Sequence, residues 1–375
     1  MGHRWAAVML GLALWLPVPV LAGDPVTAPW PRPLGPAEAL PTAALRAVVE
    51  DRDGYLWFAS DDGLLRFDGH RFRAWRREQG LLDVDVRALH LDAQNQLWLA
   101  TASQGLLTLS ADRREIQSMP GNGAVVLPRI GVMRITSTPD GVVWVGTLDD
   151  GLFARHPDGR WQRVPLQLHG GPVRRVTALV TDRQGRLWIG TPAGALRREE
   201  HRFTQVPLQD DQGVDVRVLW PDPDGGVWVH TPQGVHRWRD GELHRMPEGT
   251  AMPVLRSSAG DLWSAGATGL RLHARGQAPQ PVPLRGYAGA VMSTAAVSHA
   301  LEDRVGGLWW VGRGEGLWHL PARWRQFTLL AAARDGWPGL DGDHVLALAP
   351  SHGRGVWIAG DRGRLQRVDT VPARR

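Results

Sequence analysis

The chain has no cysteine and no lysine, and tyrosine occurs only twice among its 375 residues. The absence of cysteine excludes disulfide bonds, thiolate metal sites and a cysteine nucleophile. Tyr55 and Tyr287 are the only tyrosines, so phenolic proton donors for acid–base catalysis are scarce. All 43 basic residues are arginine, and the formal net charge is +5. These arginines alternate with acidic residues instead of clustering, which argues against a nucleic-acid partner.

Long apolar runs are also lacking, with one exception at the N-terminus. Residues Trp5–Ala22 are mostly apolar, follow a short basic segment and end before Gly23. This pattern predicts a signal peptide over residues 1–22, and hence a periplasmic or secreted protein. An uncleaved membrane anchor is the alternative, but Pro17 and Pro19 within the run favour cleavage.

Tryptophan and glycine are abundant, and they recur together. Eight of the 19 tryptophans are separated by 35 to 47 residues: Trp57, Trp98, Trp144, Trp188, Trp228, Trp263, Trp310 and Trp357. Six have a glycine three residues earlier, and Asn95 holds that place before Trp98. A second glycine follows each tryptophan by six or seven residues. Because glycine and asparagine tolerate positive φ angles, each tryptophan is predicted to lie on a short strand between two turns.

The first repeat predicts four strands. They are Leu45–Glu50, Tyr55–Ser60, Leu64–Asp68 and His70–Trp75. A four-stranded antiparallel sheet repeated about every 40–45 residues is typical of a β-propeller blade. We therefore expect an all-β propeller over residues 45–375, in which the repeated tryptophans pack between blades.

The number of blades is left open by the last repeat. That repeat predicts strands over residues 344–349, 356–360 and 364–369, but no outer strand follows. Within the N-terminal segment, residues 23–44, the stretch Trp30–Pro41 lies where an outer strand could complete the last blade and close the ring. Eight blades, or seven blades and an orphan unit, are both consistent with the sequence.

The repeat motif resembles a known family. Gly185-Arg186-Leu187-Trp188-Ile189-Gly190-Thr191 and the stretch from Gly141 to Leu152 are similar to the two-component regulator propeller repeat. The resemblance implies a periplasmic sensor region that passes a signal to a membrane histidine kinase or diguanylate cyclase. Members commonly carry two rings, whereas this chain holds one ring's worth of repeats. A stand-alone propeller and a fragment of a longer sensor both remain open, and no output domain is identified.

Catalytic and cofactor motifs are not recognisable, so neither enzyme activity nor a cofactor is expected. The Asp-x-Asp-Gly turns at Asp51 and Asp222 lack the rest of a calcium-binding loop. Gly312–Gly316 resembles a phosphate-binding loop but lies within a repeat, not between a strand and a helix. The histidines lack zinc-site spacing, and no metal site is predicted.

One recurring position suggests a ligand site. Eleven residues before the repeat tryptophan lie Arg46, Arg87 and Arg217, and His299 when counted from Trp310. Equivalent residues of the innermost strands form a ring around a propeller's channel, where arginines could bind an acidic small molecule or oligosaccharide. The alternative is a solvated channel in which these arginines pair with acidic neighbours.

The expected function is a ligand-sensing propeller that serves as the input module of a transmembrane sensor. Two alternatives are a glycan-active propeller lyase or hydrolase and a plain interaction scaffold. A lyase or hydrolase would need histidine, tyrosine and carboxylate side chains around the channel.

Overall fold

The repeated turns and short apolar strands form antiparallel sheets in the computed structural model. It describes residues 29–35, 39–82, 84–110, 112–119, 121–122, 125–200, 202–208, 213–266, 269–284, 297–312, 316–326, 340, 344–351, 355–360 and 363–369. The predicted signal peptide, residues 1–22, and Tyr287 lie outside the described residues. The chain divides into two compact units, one over Trp30–Arg323 and one that combines Met1–Pro29 with Trp324–Arg375.

The larger unit contains seven four-stranded sheets, each of which is one blade. The first strand is β1 (Arg32–Leu34), and blade 1 consists of β2 (Leu45–Glu50), β3 (Leu56–Ser60), β4 (Gly63–Phe67) and β5 (Phe72–Trp75), followed in blade 2 by β6 (Val86–Leu91), β7 (Leu97–Thr101), β8 (Leu106–Leu109) and β9 (Ile116–Ser118). A short hairpin of β10 (Gly121–Asn122) and β11 (Val125–Val126) leads to blade 3, which consists of β12 (Val132–Ser137), β13 (Val143–Thr147), β14 (Leu152–Arg155) and β15 (Trp161–Val164). A second hairpin of β16 (Gln167–Leu168) and β17 (Gly171–Pro172) leads to blade 4, which consists of β18 (Ala178–Thr181), β19 (Leu187–Thr191), β20 (Gly194–Glu199) and β21 (Arg202–Val206).

The remaining strands complete the larger unit and form one sheet in the smaller one. Blade 5 consists of β22 (Val218–Pro221), β23 (Val227–Thr231), β24 (Gly234–Arg239) and β25 (Glu242–Arg245), and blade 6 of β26 (Met252–Arg256), β27 (Leu262–Gly266), β28 (Gly269–His273) and β29 (Gln280–Val282). Blade 7 contains β30 (Val297–Glu302), β31 (Leu308–Gly312) and β32 (Gly316–Leu320). The smaller unit contains β33 (Val345–Ser351), β34 (Gly355–Gly360) and β35 (Leu365–Asp369). Two 3₁₀ turns, Arg77–Gln79 and Trp324–Gln326, are the helical elements of the described residues.

The glycine that follows each repeat tryptophan is required by the backbone. Gly63, between the second and third strands of blade 1, has a φ of 114°, and a Cβ atom there would lie 2.5 Å from the carbonyl oxygen of Trp75. Only glycine combines this conformation with such close packing. The spacing that predicted the turn therefore reflects steric necessity.

The first strands of the blades line up around a closed ring. Innermost strands of successive blades are in contact around most of the ring, β23 of blade 5 contacts β26 of blade 6, and β30 of blade 7 contacts β2 of blade 1. Val48 and Phe58 of blade 1 share a buried cluster with Trp309 and Val311 of blade 7. Because each sheet buries both faces against neighbours, the propeller that the repeats predicted is confirmed, with seven blades in the ring.

The N-terminal strand closes this ring at blade 7. β1 pairs with β32 in antiparallel register, with Leu34 opposite Leu317, and Leu34 is buried in the cluster between blades 7 and 1. The sequence placed this strand on the last repeat, and that placement is wrong. The burial of Leu34 explains why β1 pairs with blade 7, because this side chain fills an apolar site beside Phe67 and Trp309.

The last repeat forms the three-stranded sheet β33–β34–β35 within the smaller unit. Its strands agree closely with those that the sequence predicted. Ile358 and Val368 pack with Leu340 into a small cluster of their own. The sequence left two blade counts open. The sheets match the count of seven blades and a further unit.

Candidate functional site

A buried aspartate organises the turn between the first two strands of most blades. In blade 1, Asp51 Oδ1 accepts hydrogen bonds from the backbone N–H groups of Asp53 and Tyr55 at 3.0 Å each. Its Oδ2 accepts the indole N–H of Trp57 at 2.7 Å. The same indole–carboxylate bond occurs at Trp98–Asp92, Trp188–Asp182, Trp228–Asp222 and Trp309–Asp303. The Asp-x-Asp-Gly turns therefore anchor tryptophans and fix the register of the innermost strands.

This anchor corrects the repeat register in blade 7. Asp303 lies six residues before Trp309, just as Asp51 lies six residues before Trp57. Trp309, and not its neighbour Trp310, is therefore the equivalent tryptophan. Trp310 faces the preceding blade, where its ring centroid lies 4.9 Å from that of Trp263.

The residue eleven positions before the anchored tryptophan comes from each innermost strand at one end of the ring. With the corrected register, this ring position is held by Arg46, Arg87, Met133, Thr177, Arg217, Met252 and Ser298. His299 is thus one residue away from the position that the sequence assigned to it. We call this the connection end of the ring, because the outer strand of each blade connects there to the next blade, and the opposite end with the aspartate turns is the turn end.

β-bulges free several of these side chains from the regular ladder. In blades 1, 2, 3 and 7 the pairing of the first two strands skips Arg46, Arg87, Met133 and Ser298, respectively. A bulged residue leaves the alternation of the strand, so its side chain is re-aimed relative to its neighbours. The bulges therefore explain why polar residues are accommodated on strands whose adjacent positions are buried.

Two of the predicted arginines meet at a single carboxylate. Arg46 Nη2 lies 2.9 Å from Asp85 Oδ1, and Arg87 Nε lies 3.5 Å from Asp85 Oδ2. Arg87 Nη1 also points at the sulfur of Met133 at 3.5 Å. These four residues, which we call the mouth cluster, connect blades 1, 2 and 3. Two guanidinium groups with one carboxylate leave an excess positive charge that is suited to an anion.

Arg217 lies in a separate pair on blade 5. Its Nε donates to Asp215 Oδ2 at 3.1 Å, and more than half of its side chain is exposed. Thr177, at the same ring position of blade 4, donates a hydrogen bond to the backbone oxygen of Val216. The structure thus pairs Arg46 with Arg87 but holds Arg217 to its own aspartate.

His299 is neutral in this arrangement. Its Nδ1 accepts a hydrogen bond from the backbone N–H of Val48 in blade 1 at 3.4 Å. Part of the His299 side chain is in contact with solvent. The strands of blades 7 and 1 lie around the rest of it. Desolvation by this surrounding protein lowers the pKa of His299 to about 4. The residue can therefore donate from Nε2 as a neutral imidazole.

Sequence reasoning missed the aspartates of this end. Asp85-Val86-Arg87 and Asp215-Val216-Arg217 are the same tripeptide at equivalent positions of blades 2 and 5. In a strand, residues two apart lie on one side, so this repeat was a signal that both arginines have an acidic neighbour. Asp85 also reaches Arg46 of blade 1, and that contact depends on blade packing that the sequence does not display.

The described part of the chain offers neither a metal centre nor a membrane-spanning helix. It contains no cluster of three or more histidine or acidic side chains placed to hold a metal ion. None of its helices has the length and apolar character to span a membrane.

Comparison with known families identifies the repeat. Residues 170–193, which include the connection into blade 4 and its anchored tryptophan, match the family model described as two component regulator propeller. The chain carries a two-component regulator propeller repeat. This match confirms the resemblance that the Trp-and-Gly motif indicated. No curated protein has significant sequence similarity to the chain.

Solved structures share the fold. The extracellular domain of BT3049, a proposed hybrid two-component system of B. thetaiotaomicron, is 18% identical with a TM-score of 0.70, and the match covers 91% of this chain and 48% of that one. The corresponding domain of BT4673 is 16% identical with a TM-score of 0.63, covering 92% and 47%. The chain thus spans about half the length of these sensor domains. Virginiamycin B lyase from Staphylococcus aureus is 14% identical with a TM-score of 0.55, covering 74% and 94%.

Proposed function

We propose that the chain is a ligand-sensing propeller that acts outside the cytoplasm as the input module of a transmembrane sensor. The regulator propeller repeat at residues 170–193 supports this role. Structural similarity to extracellular domains of two-component systems agrees with it. The N-terminal signal sequence that the composition predicts would deliver the module to the periplasm. A membrane histidine kinase or diguanylate cyclase is the proposed partner.

The ligand site of this module is the connection end of the channel, with Arg46, Arg87, Arg217 and His299 as its contacts. The observation that carries the proposal is the mouth cluster, in which Arg46 and Arg87 share the single carboxylate of Asp85. A guanidinium group presents five N–H donors, and one carboxylate cannot satisfy two such groups. The ligand would accept the remaining donors through a carboxylate, sulfate or phosphate group.

A lyase or hydrolase is the less favoured function. The lyase fold similarity supports a shared architecture only. Asp85 is bound to two arginines and Asp215 to Arg217, so these two carboxylates are engaged in ion pairs instead of facing a histidine or tyrosine. A general acid or base needs to be within hydrogen-bond reach of the substrate. A scaffold that only binds proteins would not require the arginine pair.

A ligand screen on the purified protein tests this proposal. Thermal unfolding would be followed with small carboxylates, sulfates and acidic oligosaccharides, using the wild type, Arg87→Gln and the exposed control Arg239→Gln. We expect at least one anion to raise the unfolding temperature of the wild type and the control but not of Arg87→Gln. An equal response in all three proteins, or no response in any, would reject the site. In cells, the same anion should change kinase or cyclase output only when Arg87 is present.

A further inference from the structure

The mouth cluster has exposed aliphatic neighbours, and these indicate the class of ligand. We propose that the site binds a small amphipathic monoanion, whose carboxylate or sulfate head contacts Arg46 and Arg87 and whose aliphatic body contacts Leu82 and Ile130. This inference rests on the proposed function and adds the chemistry of the ligand to it.

Two exposed aliphatic side chains lie close in sequence to members of the mouth cluster. Among the described residues of Trp30–Arg323, the exposed large hydrophobic residues are Leu82, Val126, Ile130, Val218 and Val305. Leu82 is 60% exposed and lies three residues before Asp85, and Ile130 is 72% exposed and lies three residues before Met133. A three-residue span of chain reaches at most about 11 Å. The Cα atoms of Leu82 and Ile130 therefore lie within about 11 Å of those of Asp85 and Met133, respectively.

The turn that carries Ile130 is held on both sides. Leu148 donates its backbone N–H to the oxygen of Gly131 at 2.8 Å. On the other side, the oxygen of Pro128 comes so close to Gly105 that a Cβ atom there would lie 2.6 Å from it. The exposure of Ile130 is thus part of a packed connection between blades 2 and 3. The Ile130 side chain therefore does not have to be ordered when a ligand packs against it.

Leu82 is positioned in a similar way. The preceding Leu81 is fully buried in the cluster between blades 1 and 2, where Trp57 and Leu97 also lie. Its backbone N–H donates to the oxygen of Arg76 at 3.1 Å. Because Leu81 is anchored inside the ring, its neighbour Leu82 is directed toward solvent at a defined place.

The charge of the cluster favours a single negative charge on the ligand. Arg46 and Arg87 contribute two positive charges, and Asp85 removes one. Arg87 donates one hydrogen bond to the sulfur of Met133, which is a weak acceptor. An anionic oxygen of the ligand would be a better acceptor for this donor. Met133 can then pack against the aliphatic part of the ligand, since thioethers adapt to irregular apolar shapes.

Among the described residues, exposed aromatic side chains are absent from this end of the ring. The exposed large hydrophobic side chains among the described residues are all aliphatic, whereas the tryptophans of the seven anchored positions are buried. Ligand pockets often use aromatic rings for shape and orientation. The exposed surface here matches a flexible aliphatic body better than a flat ring or a highly hydroxylated sugar.

Calorimetric titration of the full chain with octanoate, butyrate, glucuronate and octylammonium tests the inference. We expect octanoate to bind at least tenfold more tightly than butyrate, because each fully buried methylene improves affinity about fourfold. Glucuronate should bind no better than butyrate, and octylammonium should not bind. Leu82→Ser and Ile130→Ser should each weaken octanoate at least threefold without changing butyrate, whereas Arg87→Gln should weaken both anions.

Val305→Ser is the matched control, because Val305 is an exposed aliphatic residue at the turn end of blade 7. It should leave every affinity unchanged. Equal affinities for octanoate and butyrate, or octanoate binding that is insensitive to Leu82→Ser and Ile130→Ser, would overturn the amphipathic ligand while leaving an Arg87-dependent anion site intact. If no anion binds in an Arg87-dependent manner, the proposed site itself fails, and the inference fails with it.

Discussion

The indole N–H of Trp188 donates to the carboxylate of Asp182 at 2.7 Å, and this bond ties the core of blade 4 to its turn. Asp182 also accepts the backbone N–H groups of Gln184 and Arg186 at 3.0 and 2.9 Å. These bonds give both oxygens of the buried carboxylate a donor. The same indole–carboxylate bond in four other blades explains how five of the seven turns are fixed in a chain without disulfide bonds or metal clusters in its described part.

Replacing Asp182 with alanine should destabilise the protein by about 3 kcal/mol. The substitution removes one charged acceptor and leaves the buried indole N–H of Trp188 without its partner. The free energy of unfolding from urea titration at pH 7 measures this loss. Asp149→Ala is the control, because Asp149 is 77% exposed, and it should cost less than about 0.5 kcal/mol. Similar losses for the two variants would contradict the anchoring role.

Asp222 should be more sensitive still, because it joins two blades. It binds Arg237 of its own blade at 2.7 Å and Arg256 of blade 6 at 3.0 Å. Burial alone would raise the pKa of Asp222, but hydrogen bonds from Arg256 and Trp228 outweigh it and lower the pKa. Asp222→Asn would leave Arg237 without its anion and Arg256 with only the exposed Asp224, which lies 3.1 Å from Arg256 Nη1, at a cost of about 3–5 kcal/mol.

A double-mutant cycle isolates the contact between blades 5 and 6. We expect Asp222→Asn and Arg256→Gln to be coupled by about 1–2 kcal/mol in urea unfolding, since the residues interact directly. Additive effects would show that the ion pair does not join the blades.

The closing strand can be tested by an engineered disulfide, because the chain has no cysteine of its own. Arg32 of β1 lies opposite His319 of β32. Arg32→Cys with His319→Cys should therefore form a crosslink on oxidation and raise the unfolding temperature. The comparison pair is Arg32→Cys with Gln366→Cys, which places the second cysteine on β35 of the last repeat. Preferential crosslinking of that pair would restore the closure that the sequence suggested.

Stability should fall as the medium becomes mildly acidic. Burial lowers the pKa of His90 to about 4, partly opposed by Asp92, and its Nε2 lies 2.8 Å from Ser137 Oγ. Because the folded pKa lies below the ordinary value of 6.5, the full contribution is present above pH 6.5. It is lost as the pH falls from 6.5 toward 4, by up to about 1.4 kcal/mol per pH unit.

His90→Gln should reduce this dependence without abolishing it, because burial also lowers the pKa of His299, His230, His236, His273 and His319. Urea unfolding at pH 7, 6 and 5 would measure the change. Asp140 and Asp222 have a lowered pKa, so their contributions are lost only below about pH 4 and do not obscure the histidine. An unchanged slope in His90→Gln would show that His90 does not carry the effect.

Much of the fold was predictable because its causes are local. The turn glycines are demanded by positive φ and close packing, as at Gly63, and the tryptophans between them fill the blade interfaces. The strands of blade 1 accordingly begin and end within two residues of the prediction. The ring position of Arg46, Arg87 and Arg217 followed from the same periodicity.

The errors arose where local pattern was ambiguous or where packing decided. In blade 7 two tryptophans are adjacent, and two glycines precede them, so counting from Trp310 displaced His299 by one residue. Asp303 would have resolved the choice. Closure by β1 could not be read from the sequence, because the burial of Leu34 depends on contacts made by Trp309 and Phe67 from distant parts of the chain.

The most direct test of the account is a crystal structure of the protein soaked with 8-bromooctanoate, in which bromine is located by its anomalous scattering. The account predicts a carboxylate within hydrogen-bond distance of Arg46 or Arg87, and bromine at the connection end beside Leu82 or Ile130. A bromine bound elsewhere in the ring, or a mouth cluster that stays free of the anion at concentrations that saturate binding in solution, would contradict it.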